Sequence, residues 1–176
     1  TTTPADAAEG TVHLETEGGI ARLTIDNPRR RNMMNLAMRD VFHDHLAAAL
    51  EDETVRVVII TGAEGNFCAG GDITGMNETP VESRHRLKRL HRIVRLIAYA
   101  EKPVIAATEG FVAGNGLSIA AASDVVVTAS DAKFICSFVK IGLVPGDGGA
   151  WLLPRIIGMA RASELLYTGD TIDAAT

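Results

Sequence analysis

The chain reads as an α/β protein with a mostly parallel sheet, and two observations predict this. β-branched apolar runs alternate with segments of helical period along most of the sequence, the pattern of βαβ units. Several of these runs also end in glycine or small polar residues, as strands entering turns do. A chain of 176 residues can bury a real core. Its 47% of hydrophobic residues argue against disorder.

The elements follow in order. Thr1 to Gly10 is small and polar, lacks an apolar signal core, and is expected to be a flexible tail ahead of one core domain over 11–176. Val12-His13-Leu14 and Ile20 to Ile25 flank Glu17-Gly18-Gly19 and predict a hairpin. Asn27 to Asn32 is a loop, because Asn-Pro disfavours helix. Leu36 to Leu50 has Val41, Leu46 and Leu50 at helical spacing. Val55 to Ile60 is β-branched and continuous, a strand expected to be buried, and Thr61-Gly62 ends it. Glu82 to Ala100 predicts a long amphipathic helix with Leu87, Leu90, Val94 and Ile97 on one side. Val104 to Ala107 is the next strand, Gly116 to Ala122 a helix, and Asp124 to Val127 a further strand. Lys133 to Ile135 is a short extended piece, and helices over Trp151–Ile157 and Arg161–Tyr167 close the chain.

Composition narrows the function. A net charge of −5 disfavours a nucleic-acid protein as a whole. Cys68 and Cys136 lie far apart without CxxC spacing, so a disulfide framework is not expected and a reducing, cytoplasmic setting is the default. No apolar run reaches membrane-spanning length. His43 and His45 are two apart on a helix, face different ways and make a poor metal pair.

Two glycine-rich turns carry the chemistry. Phe67-Cys68-Ala69-Gly70-Gly71-Asp72-Ile73 and Gly110-Phe111-Val112-Ala113-Gly114-Asn115-Gly116 each follow a β-rich run. Two such turns can bring two backbone N–H groups to one point, as an oxyanion on a thioester carbonyl needs. Glycine permits close backbone approach and positive φ. Asn115 lies where a helix begins, so its amide and the helix dipole both favour negative charge, and Asn tolerates left-handed backbone.

With Asn27-Pro28, Asn32-Met33, Ile60-Thr61-Gly62 and the Lys140 to Gly149 loop, these turns resemble the crotonase superfamily, the enoyl-CoA hydratase/isomerase group. The match runs from about Val12 to the end. The resemblance implies a spiral of ββα units, a homotrimer or hexamer, and acyl-CoA substrates. Coenzyme A enters as part of the substrate and no separately bound cofactor is expected. The implied oxyanion donors are the N–H groups of Gly71 and Asn115. By the same match the substrate lies against Arg29, Asn32, Met33, Ala69, Gly70, Gly71, Asp72 and Ile73. It also meets Val112, Gly114, Asn115, Ser118 and Phe138.

In the family's hydratases two glutamates flank the alkene. Those places hold Ser118 and Phe138 here, so two-glutamate hydration is disfavoured, and isomerisation or related lyase chemistry is expected. Asp147 is the nearest carboxylate and the candidate base. Some relatives place a catalytic aspartate in this loop one residue earlier, where this chain has Gly146, and the competing reading of Asp147 is a helix N-cap. The resemblance also implies further C-terminal helices, which this sequence does not contain. Two other readings stay open. The basic run Arg84 to Arg92 suits RNA, although aromatic content is only 5%. The missing glutamates suit a catalytically silent acyl-CoA-binding protein.

Overall fold

A computed structural model describes residues 10–74 and 79–176. The tail expected over 1–10 therefore lies outside the described residues apart from Gly10. Strands β1 (Thr11–Glu17) and β2 (Ile20–Asp26) form the expected antiparallel hairpin, closed by the pair Glu17 and Ile20. Next come helix α1 (Leu36–Glu51), strand β3 (Val57–Gly62) and helix α2 (Pro80–Ala98). Strands β4 (Val104–Thr108) and β5 (Phe111–Ala113) precede helix α3 (Asn115–Ala122). Strands β6 (Val125–Thr128) and β7 (Lys133–Ile135) lead to a 3-10 turn over Ser137–Ile141. Helices α4 (Gly149–Ile157) and α5 (Met159–Thr168) and strand β8 (Thr171–Asp173) follow.

Five strands pair in the order β1-β2-β3-β4-β6, parallel from β2 onward. Strands β5, β7 and β8 form a second sheet. The two sheets arise from one repeated path. A strand of the large sheet is followed by an extended piece that pairs in parallel elsewhere, and then by a helix. β4, β5 and α3 make one such turn. β3, Cys68 and α2 make another, because Cys68 bridges Val112 of β5. β2, Met34 and α1 make a third, because Met34 bridges Gly71. This is a spiral of ββα units, reduced in two turns to single bridges.

The core fills the space between the large sheet and the helices. Phe42 and Leu46 of α1 and Ile93 and Ile97 of α2 share one buried cluster with Leu23, Ile25, Val58 and Ile60. Burying a side chain of this size contributes about 1.5–3 kcal/mol.

Several expectations need correction. The β3 strand begins at Val57 and is not buried on both faces: Val58, Ile60 and Gly62 are buried while Val57, Ile59 and Thr61 are half-buried. Helix α2 starts at Pro80, because Thr79 and Glu82 form a reciprocal capping box. Leu87 is not part of its buried face, and Ile93 takes that place. Residues Phe111 to Ala113 are a strand inside what reads as a turn.

Candidate active site

The parallel bridge between Met34 and Gly71 fixes the first glycine turn. Met34 N–H donates to Gly70 O at 2.9 Å, and Asp72 N–H donates to Met34 O at 2.9 Å. Amides alternate in direction along an extended segment, so the Gly71 N–H points away from Met34. The second turn is fixed by β7: Gly114 N–H donates to Ile135 O at 3.0 Å. The Asn115 N–H then stands at the open end of α3, where the first amides of a helix have no intrahelical acceptor.

The turns touch. A Cβ on Gly70 would come 3.3 Å from Ala113 O and 3.9 Å from Asn115 N, and one on Gly114 would come 3.7 Å from Gly70 Cα. Both residues have positive φ, +111° for Gly70 and +51° for Gly114, which a side chain would strain. The left-handed backbone expected at Asn115 is thus carried by Gly114, and that expected at Gly71 by Gly70. Gly71 needs its missing side chain for another reason. A Cβ there would lie 1.8 Å from Arg39 Nη2.

One cavity of about 280 Å³ collects these groups. Among the residues expected at the substrate, Ala69, Gly70, Gly71, Asp72 and Ile73 line it from the first turn and Met33 from the segment before α1. Gly114, Asn115, Phe138 and Asp147 line it from the other side. Four expected residues do not. Exposed Arg29 faces a separate cleft beside β1. Asn32 is buried and its side chain is spent on the fold: Oδ1 accepts from Asn27 N–H at 2.8 Å, and Nδ2 donates to Ala63 O and Asn66 O. Val112 is core, and Ser118 lies behind Asp147.

Asp147 is not a helix N-cap. Gly148 occupies that position, and no side chain caps α4. The Asp147 carboxylate is instead 2% exposed. It accepts from Ser118 Oγ at 2.7 Å and from Asn115 Nδ2 at 3.4 Å. Ser118 stands where the resemblance places one glutamate, so a carboxylate from another loop fills the space beyond its short side chain. His91 Nε2–H donates to Gly146 O and ties that loop to α2.

The other carboxylate lining the cavity, Asp72, is committed. Burial works against its charge. The hydrogen bonds from Thr74 and the Arg30 ion pair at 2.7 Å outweigh burial and hold its carboxyl below the ordinary value. Cys68 is buried, and burial pushes its thiol up to about 11, so it is protonated at neutral pH and is no nucleophile. Among the described residues no group of three or more metal-binding side chains gathers, and no helix is long and apolar enough to cross a membrane.

Sequence reasoning missed Arg39, Arg86, Leu90, Ser137, Lys140, Ile141 and Leu143, which also line the cavity. A signal for Arg39 was present. Arg39, Phe42, Leu46 and Ala49 fall at helical spacing on the buried face of α1, so a charge sits in an apolar stripe.

Two backbone amides and one buried carboxylate around an apolar-walled cavity define a class: a site that can hold a carbonyl oxygen as charge builds on it while a neighbouring group moves a proton. The sequence matches the enoyl-CoA hydratase/isomerase family over residues 15–176, and the chain belongs to that family. It is 40% identical over 167 residues to 1,2-epoxyphenylacetyl-CoA isomerase of Escherichia coli, covering 90% of this chain and 62% of that protein. It is 40% identical over 163 residues to crotonyl-CoA hydratase of Syntrophomonas wolfei, covering 92% and 63%. The fold is shared with the crystal structure of an enoyl-CoA hydratase from Polaromonas sp. JS666, with TM-score 0.88, 39% identity, and coverage of 94% of this chain and 66% of that one. The chain thus spans less than two thirds of the length of each of these relatives.

Proposed function

We propose that the protein isomerises the double bond of an enoyl-CoA through an oxyanion-stabilised enolate. The thioester oxygen accepts from the N–H groups of Gly71 and Asn115. Asp147 takes a proton from the carbon next to the carbonyl, and the C–H electron pair passes into the enolate. The same proton returns to a carbon further along the chain, which shifts the double bond. Coenzyme A is carried by the substrate, and the chemistry asks for no other cofactor.

The observation that carries this reading is the Asp147 carboxylate, buried in the cavity of both amides and held by Ser118 and Asn115. Phe138, which cannot move a proton, lines the cavity where a second glutamate would be needed for hydration. The similarity to both a named isomerase and a named hydratase supports acyl-CoA chemistry of this kind without choosing between the two.

A homotrimer or hexamer fits the exposed apolar surface of Val125, Val126 and Val127 on β6 with Ile156 and Ile157 of α4. The free thiols of Cys68 and Cys136 suit the cytoplasm.

The test is Asp147→Asn. The amide keeps the volume and an acceptor for Ser118 but cannot take the proton. Turnover of a β,γ-enoyl-CoA should fall by about two to four orders of magnitude with near-normal folding. Activity within a few-fold of wild type would remove Asp147 as the base.

A further inference from the structure

Arg39 is 3% exposed, and its Nε and Nη1 have no hydrogen-bond partner among the described residues. A buried guanidinium with two unpaired nitrogens is costly and needs an offset. The nearby carboxylates do not hydrogen-bond it. Asp72 is held by Arg30 and Thr74, and Asp147 by Ser118 and Asn115. Burial first, and then Arg86, push the guanidinium below its ordinary value, outweighing the opposing pull of Asp147 and Asp72. Arginine nevertheless stays protonated at neutral pH.

Its position is specific. Nη2 lies 1.8 Å from the place a Cβ would occupy on Gly71. By ordinary bond geometry that puts Nη2 within about 4 Å of the Gly71 nitrogen. Arg39 and the Gly71 amide line the same cavity.

We propose that Arg39 is a fixed positive charge that stabilises the enolate of the bound thioester, beside the two backbone donors. The inference rests on the acyl-CoA reading above. When the α-proton passes to Asp147, the C–H electron pair becomes the new C=C bond and the carbonyl π pair moves to oxygen. That negative charge develops a few ångströms from a cation already in place and already desolvated, where charge interacts more strongly than in water. The ground-state thioester is neutral and gains less, so the effect falls on the reacting state. The glycine at position 71 leaves room for the guanidinium.

The test uses acetoacetyl-CoA, a β-ketothioester whose enolate absorbs in the near ultraviolet where its keto form does not. The full-length protein is titrated with this ligand across pH, and butyryl-CoA, which forms no stable enolate, serves as the control. Wild type is expected to bind acetoacetyl-CoA with its ionisation shifted to lower pH than that of the free ligand. Arg39→Met is expected to return that ionisation upward by about one to two units, a 10- to 100-fold change in enolate preference, with butyryl-CoA affinity changed less than about three-fold. Arg39→Lys should recover part of the shift. An Arg39→Met protein that binds the enolate as wild type does would overturn the inference. So would a wild type that binds acetoacetyl-CoA with unshifted ionisation, a result that needs no variant to fold. Failure of wild type to bind either thioester would instead sink the acyl-CoA reading itself.

Discussion

Phe138 lines the cavity and cannot move a proton. Adding water across an enoyl-CoA needs one group to deprotonate the water and a proton donor for the α-carbon. Asp72 and Asp147 are the carboxylates lining the cavity, and Asp72 is tied to Arg30 at 2.7 Å and to Thr74 Oγ1 at 2.7 Å. Among the described residues that leaves Asp147, in a cavity that Phe138 also lines. Crotonyl-CoA should therefore be hydrated at least about 100-fold more slowly than a β,γ-enoyl-CoA is isomerised. Loss of enoyl absorbance with pure protein measures the first rate, and its appearance measures the second. Comparable rates would point to an acid–base pair that the described residues do not supply.

At the scale of elements, the proposed oxyanion site depends on how α3 seats against the first glycine turn. A Cβ on Gly116 would lie 2.4 Å from Cys68 O. That oxygen cannot step aside, because it accepts from Ala113 N–H in the pairing that joins the two turns. Gly116→Ala should push α3 away, carrying Asn115 from Gly71. The expected cost is about 1–3 kcal/mol of stability, with a Tm fall of roughly 5 °C and a loss of turnover. Thermal unfolding beside a rate assay checks both, and an unchanged Tm would mean that α3 does not rest on Cys68. The same contacts explain what was legible in the sequence. Strand β3 announces itself by continuous β-branched residues, β4 by a short apolar run, and the paired glycine turns by their spacing. Strand β5 was hidden, because three residues between two glycines have no measurable period and pair only through tertiary contact. The start of α2 was written in Thr79-Pro80-Val81-Glu82, a capping signal of its own. The Ser118 bond to Asp147 spans 29 residues, and the Arg39 approach to Gly71 spans a helix and a strand, so no local pattern could show either.

For the whole molecule, the balance of charge is uneven in a useful way. The chain carries −5 overall, yet Arg86 and Lys140, neither of them buried, line the cavity. The basic run that suggested RNA is largely used within the protein. Arg86 lines the cavity, Arg89 lies 3.5 Å from Asp40, His91 holds Gly146, and Arg92 reaches His43. A cationic mouth on an acidic body attracts a polyanion to one place and repels it elsewhere, and coenzyme A is a polyanion through its phosphates. Salt screens that attraction, with a Debye length of about 30 Å at 0.01 M and about 8 Å at 0.15 M. It hardly touches the buried chemistry, where the charges are already out of water. Raising ionic strength over that range should therefore lower kcat/KM for an enoyl-CoA by about three- to ten-fold while leaving kcat within about two-fold. Lys140→Gln should flatten the salt dependence, because it removes an exposed cation from the rim. A kcat/KM independent of salt, or a kcat that falls with it, would show that the cations at this cavity do not draw substrate in from solution.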